Sequence, residues 1–343
     1  HHSAVMLPYS RFDKLRLTER LPMRSLPRLI LFGALVFVVF MLYSNYNDKK
    51  PLKEENELNV FKWAPPPVRH DTARNLTSYK SSPLFDAYYN CVYPKLRPLK
   101  GKYVEFFDEF SSLTEECDNL KAYNALDIRH VYNKDETKYI ALPRNQSQLL
   151  TMVTLGIGHD IMGEISLKEL HPNTQFYGAD PSPEVNKILY EDKLGGKYYR
   201  YAVSGETGVQ KSSIYTEQKE ELAYRTETTE HIAVDYFFKY ILNKSLIDIL
   251  WIDVEQNEFP IMEQLHRNGA IDNAGVTICQ MNIEVHSGVF EQPIGEKQMF
   301  HDFVWRVLED RRYIMLRSYY ADPFIRTFMI NVGDEECRNP LLE

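Results

Sequence analysis

The segment 247–258, IDILWIDVEQNE, delivers three carboxylates, Asp253, Glu255 and Glu258, at and just beyond the end of an apolar run, Ile247 to Ile252, that reads as a buried strand. A second run, Val276 to Val285 (VTICQMNIEV), repeats the device with Glu284 and His286. In open parallel α/β sheets the ligand crevice lies outside the carboxyl ends of the strands, so these groups are candidates for moving a proton or orienting a nucleophile. Each also has a structural reading: His286 as a hydrogen-bonded strand-end histidine, Glu255 and Glu284 as hydrogen-bond acceptors or helix caps. Asp253, Glu255 and His286 could instead gather a divalent metal, as oxygen-rich sites do, but nothing in their spacing fixes a geometry and no metal is expected.

A ligand for this rim is suggested upstream. Leu149 to Leu155 (LLTMVTL) is a short apolar run with β-branched residues, and it ends in Gly156, Ile157, Gly158, His159 and Asp160. A helix from Ile161 to about Leu170 follows, stopped by His171-Pro172, and then a second strand, Gln175 to Ala179, closed by Asp180-Pro181. The acid stands 24 residues beyond the first glycine, from 156 to 180. That is the spacing at which a nucleotide-binding βαβ unit places a carboxylate to accept hydrogen bonds from ribose hydroxyls, while glycines let the backbone approach the ligand. A dinucleotide fingerprint wants a third glycine, and Ile161 stands in its place. After a helix over Pro183 to Asp192, Tyr198 to Val203 reads as a third strand running into Ser204-Gly205.

The elements that must carry these groups alternate strand and helix. Helical spacing runs from Leu84 through Tyr88 and Phe106 to Leu120, and again over Lys297 to Arg312, where Phe300, Phe303, Val304 and Leu308 face a core. Tyr313 to Leu316 and Phe324 to Val332 are expected to close the sheet as an antiparallel pair.

The series VTLGIG, YGADP, YAVSGETG, VDYFF, LWIDVEQNE and QMNIEVH resembles the FkbM-type S-adenosylmethionine-dependent methyltransferase family over about residues 140–335. The resemblance implies an α/β, Rossmann-like methyltransferase fold, with a mostly parallel sheet and an antiparallel C-terminal edge hairpin. It implies that Gly156, Gly158 and Asp180 hold S-adenosylmethionine, with Asp253 beside it, and that Glu255, Glu258, Glu284 and His286 lie near the acceptor. Glu255, Glu284 and His286 are then the catalytic candidates, Glu284 or His286 as general base. The chain departs from the family pattern at four positions: Thr154 replaces an acid, Asp160 a glycine, Trp251 a lysine and Gln256 a glycine. Asp160 could still accept hydrogen bonds from the methionine ammonium group, and is included among the cofactor-binding candidates.

Composition bounds the remaining choices. With 13% aromatic residues among 343, disorder is not the dominant state, and a net charge of -8 leaves no basic footprint for nucleic acid. His1 and His2 are set aside from the fold argument. Leu29 to Tyr43 (LILFGALVFVVFMLY) carries no charge, and the preceding Arg11, Lys14, Arg16, Arg20, Arg24 and Arg28 outnumber Asp13 and Glu19, which would hold the N-terminus in the cytosol. The expected layout is a cytosolic basic tail over 1–28, a transmembrane signal anchor over 29–46, a stem over 47–82 and a lumenal domain over 83–343. A cleaved signal peptide is the rival reading of the apolar segment. A Golgi or endoplasmic reticulum location follows from the short span. Sequons at Asn75, Asn145 and Asn243 would then be glycan acceptors. Cys91, Cys117, Cys279 and Cys337 would meet an oxidising lumen, with three pairings open. The expected activity is O-methylation of a lumenal acceptor such as a glycan; the alternative is a non-catalytic binding or trafficking module of the same fold.

Overall fold

A computed structural model describes residues 81–218, 221–255, 257–287 and 293–343. The basic tail, the apolar segment, nearly all of the stem and the sequon at Asn75 lie outside them. Among the described residues no helix is long and apolar enough to cross a membrane.

The helical stretch expected over 84–120 is two helices. Ser82 caps α1 (Pro83–Leu96), its hydroxyl accepting the Phe85 N–H at 3.2 Å. Pro98 and Gly101, at φ +82, turn the chain into α2 (Tyr103–Thr114). Both helices bury an aromatic face, Phe85 and Tyr88 from α1, Phe106, Phe107 and Phe110 from α2. A disulfide joins Cys91 in α1 to Cys117, and a second joins Cys279 to Cys337.

Then come a hairpin, β1 (Asp127–Tyr132) and β2 (Thr137–Leu142); β3 (Leu150–Leu155), α3 (Met162–Leu170) and β4 (Thr174–Ala179); and α4 (Pro183–Lys187), β5 (Lys197–Tyr199) and β6 (Ala202–Ser204). A long hairpin, β7 (Gly208–Gln218) and β8 (Glu221–Ala233), precedes β9 (Leu246–Ile247) and β10 (Ile249–Ile252). The chain ends with α5 (Glu258–Met262), β11 (Thr277–Ile278), β12 (Gln280–His286), α6 (Pro293–Asp310), the hairpin β13 (Tyr313–Ala321) and β14 (Phe324–Asn331), and α7 (Glu335–Leu342).

Seven strands form the central sheet in the order β13-β14-β12-β10-β3-β4-β5. Pairings from β12 to β5 are parallel, while β14 runs antiparallel to both neighbours. This is the mostly parallel sheet with an antiparallel edge hairpin that the sequence implies. Every residue of β3, β10 and β12 is buried, as expected for strands covered on both faces. The strand order reverses between β3 and β10, and a crevice opens at such a switch point.

The expected third strand, 198–203, is corrected by the structure. The Tyr201 N–H turns back to the Tyr199 carbonyl at 2.9 Å, so β5 ends in the central sheet while β6 leaves it to pair with β8 in a separate three-stranded sheet. The β1–β2 hairpin is held against the sheet by side chains standing in for a strand. The amide of Asn282 bonds both the N–H and the carbonyl of Tyr139, at 2.9 and 2.8 Å, and that of Gln280 does the same for Ala141, at 2.7 and 2.9 Å.

Candidate functional site at the switch point

Gly156 closes β3 at φ +80, a conformation favoured by glycine, and a Cβ there would fall 1.7 Å from the carbonyl oxygen of Asp253. The two strand ends that flank the switch point therefore touch backbone to backbone. Gly158, at φ +62, differs: its Cβ would meet nothing within 4 Å, so the loop backbone is left open. Both glycines, Asp160, Asp180, Asp253 and Glu255 line one cavity of about 330 Å³, within the range of small-molecule sites.

Asp180 is buried at the end of β4. Its oxygens accept the N–H of Ile157 at 3.0 Å and of Ser182 at 2.8 Å, so it braces the glycine loop from beneath. Burial raises its pKa against those amide hydrogen bonds. The Gly158 N–H and the Asn186 side chain also stabilise its charged form, so a ligand hydroxyl would share a carboxylate that is already held in place. The residues present thus fit a nucleoside: an open glycine backbone, a buried carboxylate and a cavity wall continued by Tyr201, Ala202 and Val203. Asp160 lines the same cavity, yet its carboxylate already accepts the N–H of Lys134 at 2.7 Å and of Met162 at 3.0 Å, tying the β1–β2 turn to the start of α3.

A second cavity, about 460 Å³, shares the β1–β2 turn, Asn133 to Glu136, with the first and is lined on its inner side by Glu284. The neighbouring ends of β10 and β12 thus send Asp253 to one cavity and Glu284 to the other. His286 lines neither. Glu258, fully buried, accepts both the backbone N–H of His286 at 2.7 Å and its Nδ1 at 2.8 Å. The opposite nitrogen, Nε2, lies 3.3 Å from Glu284 Oε1 and 3.7 Å from Glu255 Oε2. Burial works against a charged imidazole, but the hydrogen bonds to Glu258 and Glu284 outweigh it and push His286 up to about 12. Glu284 is also buried, yet His286 and Arg326, 2.5 Å away, hold its carboxyl below the usual range. Asp253 goes the other way: burial, reinforced by the Glu284 charge, pushes it up to about 7. Its Oδ1 is sealed from solvent and has no hydrogen-bond partner. Asp253, Glu284 and His286 bring ligand atoms within 4.8 Å of one another, a trio other than the Asp253, Glu255 and His286 weighed from sequence.

Beneath the site lie two charged groups that sequence reasoning missed. Lys138 in β2 is buried over the Trp251 ring, 5.3 Å from its centroid, and pairs with Glu136. Glu164 in α3 is buried and accepts the Thr154 hydroxyl at 2.9 Å. Burial lowers the Lys138 pKa and pushes Glu164 up to about 7. The polar Gln280 and Asn282, alternating with Met281 and Ile283 in a strand buried throughout, are the one local signal that could have pointed to the hairpin carrying Lys138.

A relative in Caenorhabditis elegans, the uncharacterized protein C28H8.7, is 25% identical over 141 residues, which is 40% of this chain and 46% of that protein. The chain therefore spans less than half the length of this relative. Among solved structures, a putative rRNA-methylase from Clostridium thermocellum is 12% identical with a TM-score of 0.31, covering 54% of this chain and 88% of the other. Aeropyrum pernix fibrillarin, in complex with natively bound S-adenosyl-L-methionine, is 14% identical with a TM-score of 0.29, covering 56% and 70%. Scores this low do not bear on substrate. The model of the methyltransferase FkbM domain matches residues 96–337, most of the chain, including both cavities and both strand ends. The chain belongs to the methyltransferase FkbM domain family.

Proposed function

We propose that the protein transfers the methyl group of S-adenosylmethionine to a hydroxyl of an acceptor in the secretory pathway, with a glycan as the favoured class, from a lumenal domain carried on a type II anchor. One observation carries the reading: the glycine turn, Asp180 and Asp253 line one cavity, and the adjoining cavity receives Glu284 from the next strand. When bound, the cofactor supplies the electrophilic methyl group. Gly158 lets the loop backbone approach it, Gly156 holds the turn against the Asp253 carbonyl, and Asp180 accepts its ribose hydroxyls. Displacement at a methyl carbon is in line, so the remaining task is to align an acceptor oxygen and take its proton. Glu284 faces the acceptor side for that task and Glu255 the cofactor side, while His286, charged and lining neither cavity, positions Glu284 from behind.

The compartment has its own support. Two disulfides suit an oxidising lumen, and the sequon residues Asn145 and Asn243 are both exposed. Labelled methyl transfer from S-adenosylmethionine into secretory extracts, with and without prior glycosidase treatment, tests the proposal. Label that enters the glycan fraction and falls by about 10² to 10⁴ in Glu284→Gln supports it. Absence of transfer to any fraction, while the protein still binds its partners, would favour the non-catalytic module. For topology, glycosidase should increase the gel mobility of the full-length protein made in cells; an unchanged mobility would contradict a lumenal domain.

A further inference from the structure

We infer that Asp253, Glu284 and His286 form a site for one divalent cation of borderline character, such as Mn²⁺ or Zn²⁺, in the wall between the two cavities. The inference goes beyond the proposed methyl transfer, since cation binding can be measured with neither donor nor acceptor present.

Three observations carry it. First, the histidine is presented as a ligand: Glu258 accepts the Nδ1 proton at 2.8 Å, which directs Nε2 toward the carboxylates. A carboxylate behind a ring nitrogen is the usual means of fixing the tautomer and orientation of a metal-binding histidine. Glu258 is held in turn by the His286 backbone N–H at 2.7 Å. Second, the spacing fits. Ligand bonds of about 2.1 Å to nitrogen and oxygen would make the 3.3 Å between Nε2 and Glu284 Oε1 a chord subtending about 100°, between octahedral and tetrahedral angles. Any pair of the three ligand atoms lies within 4.8 Å, against a limit of about 4.2 Å for opposite ligands, so a small rotation of one carboxylate closes the site. Third, Asp253 Oδ1 is sealed from solvent without a hydrogen-bond partner. A buried carboxylate oxygen left in that state is costly, and a cation would satisfy it.

Two carboxylates and one imidazole mix hard and borderline donors, which suits Mn²⁺ or Zn²⁺ better than K⁺ or Ca²⁺. On binding, Nε2 gives up its proton to solvent. Arg326 remains on the far oxygen of Glu284, and Glu255 Oε2, 3.7 Å from Nε2, stands near enough to join the ligands. A cation there would touch both cavities, where it could hold an acceptor hydroxyl and lower its pKa.

The test is titration of the chelator-treated, full-length protein with MnCl₂ and, separately, ZnCl₂, read by calorimetry and thermal unfolding without S-adenosylmethionine. One saturable site is expected, raising the unfolding temperature. Asp253→Asn and Glu284→Gln should each weaken it at least tenfold, while Glu169→Gln, an exposed acid of α3 outside both cavities, should bind as the parent does. No saturable binding of either ion up to millimolar concentration, or equal affinity in the parent and in both trio variants, would overturn the site. The same preparation is titrated with S-adenosylmethionine: cation binding without donor binding supports the site and counts against the donor reading, and donor binding without cation binding does the reverse.

Discussion

Thr154 and Trp251 are register partners on the adjacent parallel strands β3 and β10, so the positions where the family pattern carries an acid and a lysine lie side by side. Two of the four departures are therefore one linked change. Neither strand carries a charge there, and Glu164 and Lys138 bring an acid and a base to the same region from α3 and β2. Glu164 bonds Thr154, Lys138 covers Trp251, and each feels the other's charge.

Glu164 has a measurable pH signature. Its folded pKa is raised from 4.5 to about 7, chiefly by burial. The stability it contributes is therefore fully present below about 4.5 and is lost as pH rises through about 7. A rise of this size corresponds to about 3 kcal/mol between the two limits. Glu164→Gln keeps an acceptor for the Thr154 hydroxyl and cannot ionise, so unfolding midpoints measured from pH 5 to 8 should fall less steeply than in the parent. Parallel profiles would show that Glu164 does not titrate in this range.

The two glycines of the turn separate by what confines them. Gly158→Ala should cost about 1–2 kcal/mol, the expense of a left-handed backbone alone. Gly156→Ala adds a collision with the Asp253 carbonyl and should cost clearly more, displacing the end of β10 and weakening cofactor binding as well. Denaturant midpoints for both variants check the order. Equal losses would remove the β3–β10 backbone contact from the account.

Asn282 tests whether the β1–β2 hairpin belongs to the site. Its amide makes two hydrogen bonds to Tyr139, and orphaning buried backbone groups costs about 1–3 kcal/mol each. Asn282→Leu should destabilise the protein by a few kcal/mol and loosen the turn 133–136 that walls both cavities. Amide hydrogen exchange across β2 should rise with it. Unchanged exchange at Tyr139 and Ala141 would show that the hairpin is held by something else.

Legibility followed sequence distance. The unit from β3 through Gly156 and α3 to Asp180 was readable because its signals are local: an apolar run, glycines, a helix stopped at His171-Pro172, an acid at a fixed spacing. The acidic strand ends and the C-terminal hairpin were readable for the same reason. The β1–β2 hairpin was not, since its hold on the sheet comes from Gln280 and Asn282, about 140 residues away. Lys138 and Glu164 acquire meaning only once the register sets Thr154 beside Trp251. The break between β5 and β6 turns on a single backbone hydrogen bond within an apolar-aromatic run, YYRYAV, that reads as continuous strand. The pairing Cys91–Cys117 and Cys279–Cys337 likewise required the fold, because four thiols leave three choices.

Binding of S-adenosylmethionine in the switch-point cavity, as proposed, is measured by calorimetric titration of the full-length protein. One site per chain is expected, with affinity falling by roughly 10- to 150-fold, about 1.5–3 kcal/mol, in an Asp180→Ala variant that retains its circular dichroism spectrum. No heat of binding by the parent protein at millimolar S-adenosylmethionine, or undiminished affinity in folded Asp180→Ala, would contradict it.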